Sequence, residues 1–125
     1  ASSPFAGGTF GLTVQVPTTY PTEPPKIRFE TPVYHCNISE GGVICLDLLR
    51  ERWSPHLTIG QCLEAVRLLL ATPNPDEALR QWIAELTIAS RNSGGQDTRY
   101  AEQAQAMTRQ KAGKSVSEWR AEMGC

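Results

Sequence analysis

The chain has 125 residues, 40% of them hydrophobic and 20% charged, with a formal net charge of −1. That length supports one domain around one core, not two. A near-neutral charge with scattered lysines and arginines gives no electrostatic basis for binding nucleic acid, and no uninterrupted apolar run approaches membrane-spanning length.

At the amino-terminal end, Ala1-Ser2-Ser3-Pro4 has none of the character of a signal peptide. The expectation is a soluble, intracellular chain, cytoplasmic and/or nuclear. From Thr9 to Val16 apolar and polar residues alternate, with Phe10, Leu12, Val14 and Val16 on one side, the pattern of a half-buried strand. Pro17 and the prolines between Pro21 and Pro25 interrupt it, because proline removes a backbone donor. A second strand is predicted from Lys26 to Phe29, with Ile27 and Phe29 on one face, pairing antiparallel with the first.

Residues 31–57 read as irregular, with Gly41-Gly42 followed by the apolar run Val43-Ile44-Cys45-Leu46. A loop of that length in a small domain is either functional or disordered, and its aromatic and apolar content argues for function. Thr58 with Gln61 is a capping box opening a helix. Ile59, Cys62, Leu63, Val66, Leu69 and Leu70 follow at helical spacing, and Thr72-Pro73 ends it. A second helix is expected after Asp76, with Leu79, Trp82, Ile83 and Leu86 on one face. Asn92-Ser93-Gly94-Gly95 reads as a connector, followed by helices around Thr98–Gln110 and Val116–Met123. All these apolar stripes are read as core faces.

The cysteines are Cys36, Cys45, Cys62 and Cys125, without a Cys-x-x-Cys unit, which suits free thiols in a reducing compartment. His35, Cys36 and Cys45 supply three ligand types but lack a fourth at a sensible spacing, so no metal is assigned. The loop nevertheless holds the makings of acyl transfer. A cysteine can carry an acyl group, and an asparagine can donate to an oxyanion, yet no general base is obvious among Tyr34-His35-Cys36-Asn37, Ile44-Cys45-Leu46-Asp47 and Trp53-Ser54-Pro55.

These segments resemble the ubiquitin-conjugating (E2) enzymes, with their His-Pro-Asn, Ile-Cys-Leu-Asp and Trp-Ser-Pro motifs. Ser3-Pro4-Phe5-Ala6-Gly7-Gly8-Thr9-Phe10 is similar to the family's Ser-Pro-Tyr-x-Gly-Gly-x-Phe. Tyr20-Pro21-Thr22-Glu23-Pro24-Pro25-Lys26 is similar to Tyr-Pro-x-x-Pro-Pro-Lys, and Pro73-Asn74-Pro75-Asp76-Glu77 to Pro-Asn-Pro-Asp-Asp. The resemblance runs in order from residue 3 to about residue 90 and is loose thereafter.

It implies an α+β fold of the UBC type, an antiparallel β-meander packed on helices with the active cysteine in the long loop. The whole of 1–125 would be one core domain, with 92–125 a divergent helical carboxyl-terminal part. The family begins with a helix and a strand ahead of the Ser-Pro-Tyr-like motif, and this sequence starts inside that motif. The first helix helps engage the activating enzyme, so that step is put in question, and the Thr9–Val16 strand is expected to be an exposed edge.

The resemblance further implies that Cys45 accepts the ubiquitin carboxyl terminus as a thioester. Ubiquitin would come from an activating enzyme and pass to a substrate lysine or to a RING-type or HECT-type ligase. No cofactor is implied. No cation adjoins Cys45 in sequence and Asp47 is close by, which suggests a modest thiol dependent on a pre-activated donor. Asn37 would serve the oxyanion or hold the loop through backbone hydrogen bonds, and the two roles are compatible. His35 is expected to order the loop rather than act as a base.

Glu77, where relatives carry aspartate, would orient the attacking amine and accept its proton, or else simply open the following helix beside Asp76. Leu46 and Asp47 would shape the thioester pocket. Cys36 replaces the usual proline, freeing a backbone dihedral and adding a second thiol. Some ubiquitin-charging members carry the same His-Cys-Asn. Ligases would meet Thr22, Ser54, Pro55 and His56, and Thr22 and His56 depart from the residues common there, which puts ligase choice in question. The rival readings are a non-catalytic E2-like binding module, disfavoured by the retained Cys45 and Asn37, and a cysteine hydrolase, for which nothing orients His35.

Overall fold

The computed structural model describes residues 3–124. Ala1, Ser2 and Cys125 lie outside the described residues, and with them the expectations for the extreme amino terminus and for a free thiol at Cys125. The architecture is α+β: among the described residues there are two strands, a long loop and four helices.

Strand β1 (Leu12–Gln15) pairs antiparallel with β2 (Lys26–Phe29), from Leu12 opposite Phe29 to Gln15 opposite Lys26. The strand is shorter than the Thr9–Val16 alternation suggests, for local reasons. The Thr9 N–H donates to the Ala112 carbonyl at 2.9 Å, away from the ladder, and Gly11 gives its carbonyl to Glu30 at 2.8 Å. At the other end Val16 is 51% exposed and Pro17 has no donor to continue the pairing. Alternation in β2 is as expected, with Ile27 and Phe29 buried and Lys26 and Arg28 outward.

The meander continues without forming further regular strands, through isolated bridges of Arg28 to Val43 and Ile38 to Ile44. Gly42 makes the first crossing possible. Its φ is +88°, and a Cβ there would fall 1.9 Å from the Phe29 carbonyl oxygen. The close approach lets the Phe29 N–H reach the Gly42 carbonyl at 2.9 Å.

Helix α1 (Ile59–Ala71) opens on the predicted capping box. The Gln61 N–H donates to Thr58 Oγ1 at 3.1 Å, and the Thr58 N–H to Gln61 Oε1 at 2.9 Å. It buries Cys62, Val66 and Leu69 and stops at Thr72, before Pro73. Helix α2 (Gln81–Asn92) starts later than expected, because Pro75–Glu77 forms a separate 3-10 turn and Ala78 is extended. Leu79 therefore precedes the helix and is 44% exposed, and Trp82 is 53% exposed, so the expected four-residue stripe keeps only Ile83 fully buried. Helices α3 (Arg99–Lys111) and α4 (Val116–Met123) follow, the latter with its own Ser115–Glu118 capping box.

The core gathers Phe5, Ile27, Phe29, Val33, Ile38, Ile44, Val66, Ile83 and Tyr100 from the amino-terminal turn, β2, the loop and three helices. Ile38 and Ile83 are fully sealed. Each is worth roughly 1.5–3 kcal/mol relative to an exposed side chain. That packing fixes the inner face of the loop, on which the site is built. Among the described residues no helix is long and apolar enough to cross a membrane.

Candidate active site

Two stretches of the long loop are laid side by side by a tight turn. The Ser39 N–H donates to the Val43 carbonyl at 2.9 Å, the Gly42 N–H to Ser39 O at 3.0 Å, and the Val43 N–H to Ser39 Oγ at 3.0 Å. The Ile38–Ile44 bridge closes the turn, and the Cys45 N–H donates to the Asn37 carbonyl at 2.9 Å. Asn37 and Cys45, eight positions apart in sequence, are thus direct neighbours.

His35 lies on the sealed side. It is fully buried, its Nε2 meets the Leu69 carbonyl at 2.8 Å, and its Nδ1 accepts the Asn37 N–H at 3.0 Å. An accepting Nδ1 assigns the proton to Nε2, so the ring is neutral and both nitrogens are engaged. Burial pushes its pKa down to about 4, against a smaller opposing effect of the Leu69 hydrogen bond. A ring so held has no free lone pair, and its two bonds tie the loop to the Leu69 carbonyl of α1.

Asn37 is also fully buried and uses its whole amide. Nδ2 donates to Asn74 O at 2.7 Å and to Glu77 O at 3.0 Å, while Oδ1 accepts the Asn74 N–H at 2.8 Å. One side chain therefore latches the turn that bears Glu77 onto the loop that bears Cys45. Of the two roles expected of Asn37, this arrangement performs the holding one.

Cys36 between them is sealed, and burial raises its thiol pKa. Its carbonyl accepts the Leu79 N–H at 2.8 Å and the Arg80 N–H at 3.2 Å, tying the loop to the start of α2. Arg80 completes the clamp from behind. Its Nε donates to Ile38 O at 2.8 Å, and its Nη2 donates to Val33 O and, at 3.4 Å, to His35 O. Desolvation lowers the pKa of this half-buried guanidinium, with Glu40 opposing the shift. Sequence reasoning missed Arg80, although a cation at the N-cap of a helix is a local anomaly against the helix dipole that could have marked it.

The open side carries Cys45, Glu77 and Arg50. Cys45 is half-buried, unlike the sealed Cys36 and Cys62. Its Sγ lies 3.9 Å from Glu77 Oε2 and 2.8 Å from Arg50 Nη2. The expectation that Cys45 has no cation beside it holds along the sequence but not in space. The 3-10 turn Asp47–Leu49 folds the chain back, and Arg50 returns to the sulfur.

Glu77 ends the Pro75–Glu77 turn, not the first turn of α2, which holds no acidic residue. It therefore does not begin that helix. Asp47 faces Arg52 at 3.9 Å, and Leu46, half-buried, packs against the core beside Cys45.

A second exposed region gathers the residues expected to meet ligases. Trp53 Nε1 donates to the Pro21 carbonyl at 3.1 Å, and its ring lies 6.1 Å from that of Tyr20. This contact joins the exposed Thr22 to the segment of half-buried Ser54 and exposed Pro55 and His56.

Residues 1–112 match the sequence model of the family described as ubiquitin-conjugating enzyme. Among solved structures, the chain is similar to the E2 domain of a ubiquitin conjugating enzyme from Toxoplasma gondii, with 35% identity and a TM-score of 0.78. That alignment covers 89% of this chain and 73% of the other. The order of motifs, the loop geometry around Cys45, the match over most of the length and the shared fold lead to one conclusion: the chain belongs to the ubiquitin-conjugating (E2) enzyme family.

Proposed function

We propose that Cys45 accepts the carboxyl terminus of ubiquitin from an activating enzyme as a thioester and passes it to a substrate lysine or to a ligase. The observation that carries this reading is the half-exposed Cys45 sulfur 3.9 Å from the Glu77 carboxylate, beside a loop whose other thiol is sealed. In charging, the Cys45 sulfur, having given its proton to water, attacks the donor's thioester carbonyl as the thiolate. A new C–S bond forms, the old one breaks, and the donor thiolate leaves with the electron pair. In discharge, a lysine amine attacks the thioester carbon and Cys45 leaves. The amine proton passes to Glu77, which also orients the nucleophile.

Asn37 acts mainly in discharge. Its bonds to Asn74 and Glu77 fix the turn that presents the carboxylate. Service to the oxyanion would require one of these two bonds to open. Leu46 and Asp47 flank the thioester. The Thr22, Ser54, Pro55 and His56 region, joined through Trp53, is the surface on which a RING-type or HECT-type ligase would dock.

The test is a charging reaction of the protein with activating enzyme, ATP and ubiquitin. A thiol-sensitive adduct is expected, absent from Cys45→Ala and retained by Cys36→Ala and Cys62→Ala. An adduct that survives in Cys45→Ala would remove the assignment. No adduct on the wild type would favour the non-catalytic module.

A further inference from the structure

We propose that Arg50 is a catalytic residue, whose guanidinium holds the negative charge on the Cys45 sulfur when that sulfur attacks and when it leaves. The inference rests on the reading that Cys45 carries the acyl group.

The geometry is specific. Arg50 Nη2 lies 2.8 Å from Cys45 Sγ, a direct contact with the reacting atom. The Arg50 backbone is anchored where the 3-10 turn ends, its N–H donating to the Asp47 carbonyl at 2.9 Å, so the side chain springs from a fixed point. The nearest carboxylate on that turn, Asp47, faces Arg52 at 3.9 Å. Among the described residues Arg50 forms no ion pair, which leaves the sulfur as its partner. A guanidinium donates strongly to anions and keeps its own proton while doing so.

Glu77 stands 3.9 Å from the same sulfur, so a cation and an anion flank one atom, and each suits a different half of the reaction. During discharge the amine nitrogen forms the C–N bond, and the C–S bond breaks with its electron pair going to Sγ. Arg50 donates a hydrogen bond to that sulfur, and the proton shed by nitrogen goes to the carboxylate. During charging the same contact supports Sγ as the attacking atom, and the electron pair of the broken bond goes to the donor's sulfur. Arg50 is spent in neither step.

The test compares wild type, Arg50→Met and Arg50→Lys in two assays that do not involve the activating enzyme's docking. The first is the rate at which iodoacetamide modifies Cys45 in the protein alone at neutral pH, followed on the Cys45 peptide by mass spectrometry. The second is single-turnover discharge of the pre-formed thioester onto free lysine. Arg50→Met is expected to slow both by about tenfold, the scale of one charge-assisted hydrogen bond at a site open to solvent. Arg50→Lys, which keeps the charge without the planar fork, should recover at least half of each rate.

Equal rates for Arg50→Met and wild type in either assay would overturn the proposal. Slower alkylation with unchanged discharge would overturn it at the leaving-group step. If the wild type takes up no ubiquitin while alkylation still depends on Arg50, the assignment of thioester chemistry fails and the Arg50–Cys45 contact stands.

Discussion

Cys36 and Cys45 stand nine positions apart in one loop, the first sealed beneath it and the second half-open on its surface. Around Cys36 the polar side chains of the loop and of Arg80 are paired inward. His35 is locked between Leu69 and Asn37, Asn37 spends its amide on Asn74 and Glu77, and Arg80 donates to the loop's carbonyls. Around Cys45 the side chains of Arg50 and Glu77 are exposed and meet only at the sulfur. A reactive thiol needs access, whereas the groups that aim it need rigidity. The loop divides these demands between its two faces.

The largest break in this comparison comes from exchanging the fates of the two thiols. Cys45→Ala should lose the ubiquitin adduct completely, while Cys36→Ala should keep it at a stability cost of about 1 kcal/mol for the small cavity. Adduct formation on non-reducing gels, beside a denaturant melt, reads both quantities. Next is Asn37→Ala, which should still be charged but discharge onto free lysine more slowly by roughly tenfold or more, as loss of the Glu77 carboxylate does. Unchanged discharge would separate the latch from the chemistry.

Acid acts on the sealed face through His35. The folded pKa of His35, about 4, lies below its ordinary value of 6.5, so between these limits the unfolded chain binds a proton that the folded chain refuses. The stability that His35 lends is complete above pH 6.5, falls as pH drops toward 4, and changes no further below it. The loss approaches about 3 kcal/mol over that window. Denaturant melts of wild type and His35→Gln should converge as the pH is lowered. A wild-type advantage that stays constant from pH 7 to pH 4 would contradict the buried neutral ring.

Arg80→Met should cost about 2 kcal/mol, because loop carbonyls lose a charged donor. It should also slow discharge while sparing Cys45 alkylation. A variant as stable as wild type would show that the clamp is idle. The smallest expected effect on the protein itself is that of Glu77→Ala. It should leave the melt unchanged, since the side chain is exposed, and slow discharge roughly tenfold or more.

Much of this was legible in the sequence, for reasons that differ by residue. Thr58 with Gln61 marked the start of α1 because a capping box is a local device, and Pro73 marked its end. The two strands paired as the alternation at Leu12–Val14 and Ile27–Phe29 requires. The stripe from Leu79 to Leu86 misled, because periodicity does not reveal that Pro75–Glu77 closes its own turn and delays α2 to Gln81. Arg50 escaped notice because its approach to Cys45 depends on a 3-10 turn between them. Arg80 escaped notice because its partners, Val33, His35 and Ile38, lie more than forty positions upstream. Contacts of that range leave no local pattern in the chain.

The account turns on whether Asn37 works through Glu77, the sealed face aiming the open one, and a double-mutant cycle addresses that directly. Single-turnover discharge onto free lysine would be measured for wild type, Asn37→Ala, Glu77→Ala and the double variant, each pre-charged to the same extent. If Asn37 acts by holding the turn that presents Glu77, the double variant should be no slower than Asn37→Ala alone. Effects that multiply would make Asn37 and Glu77 independent and contradict the claim that one face of the loop aims the other.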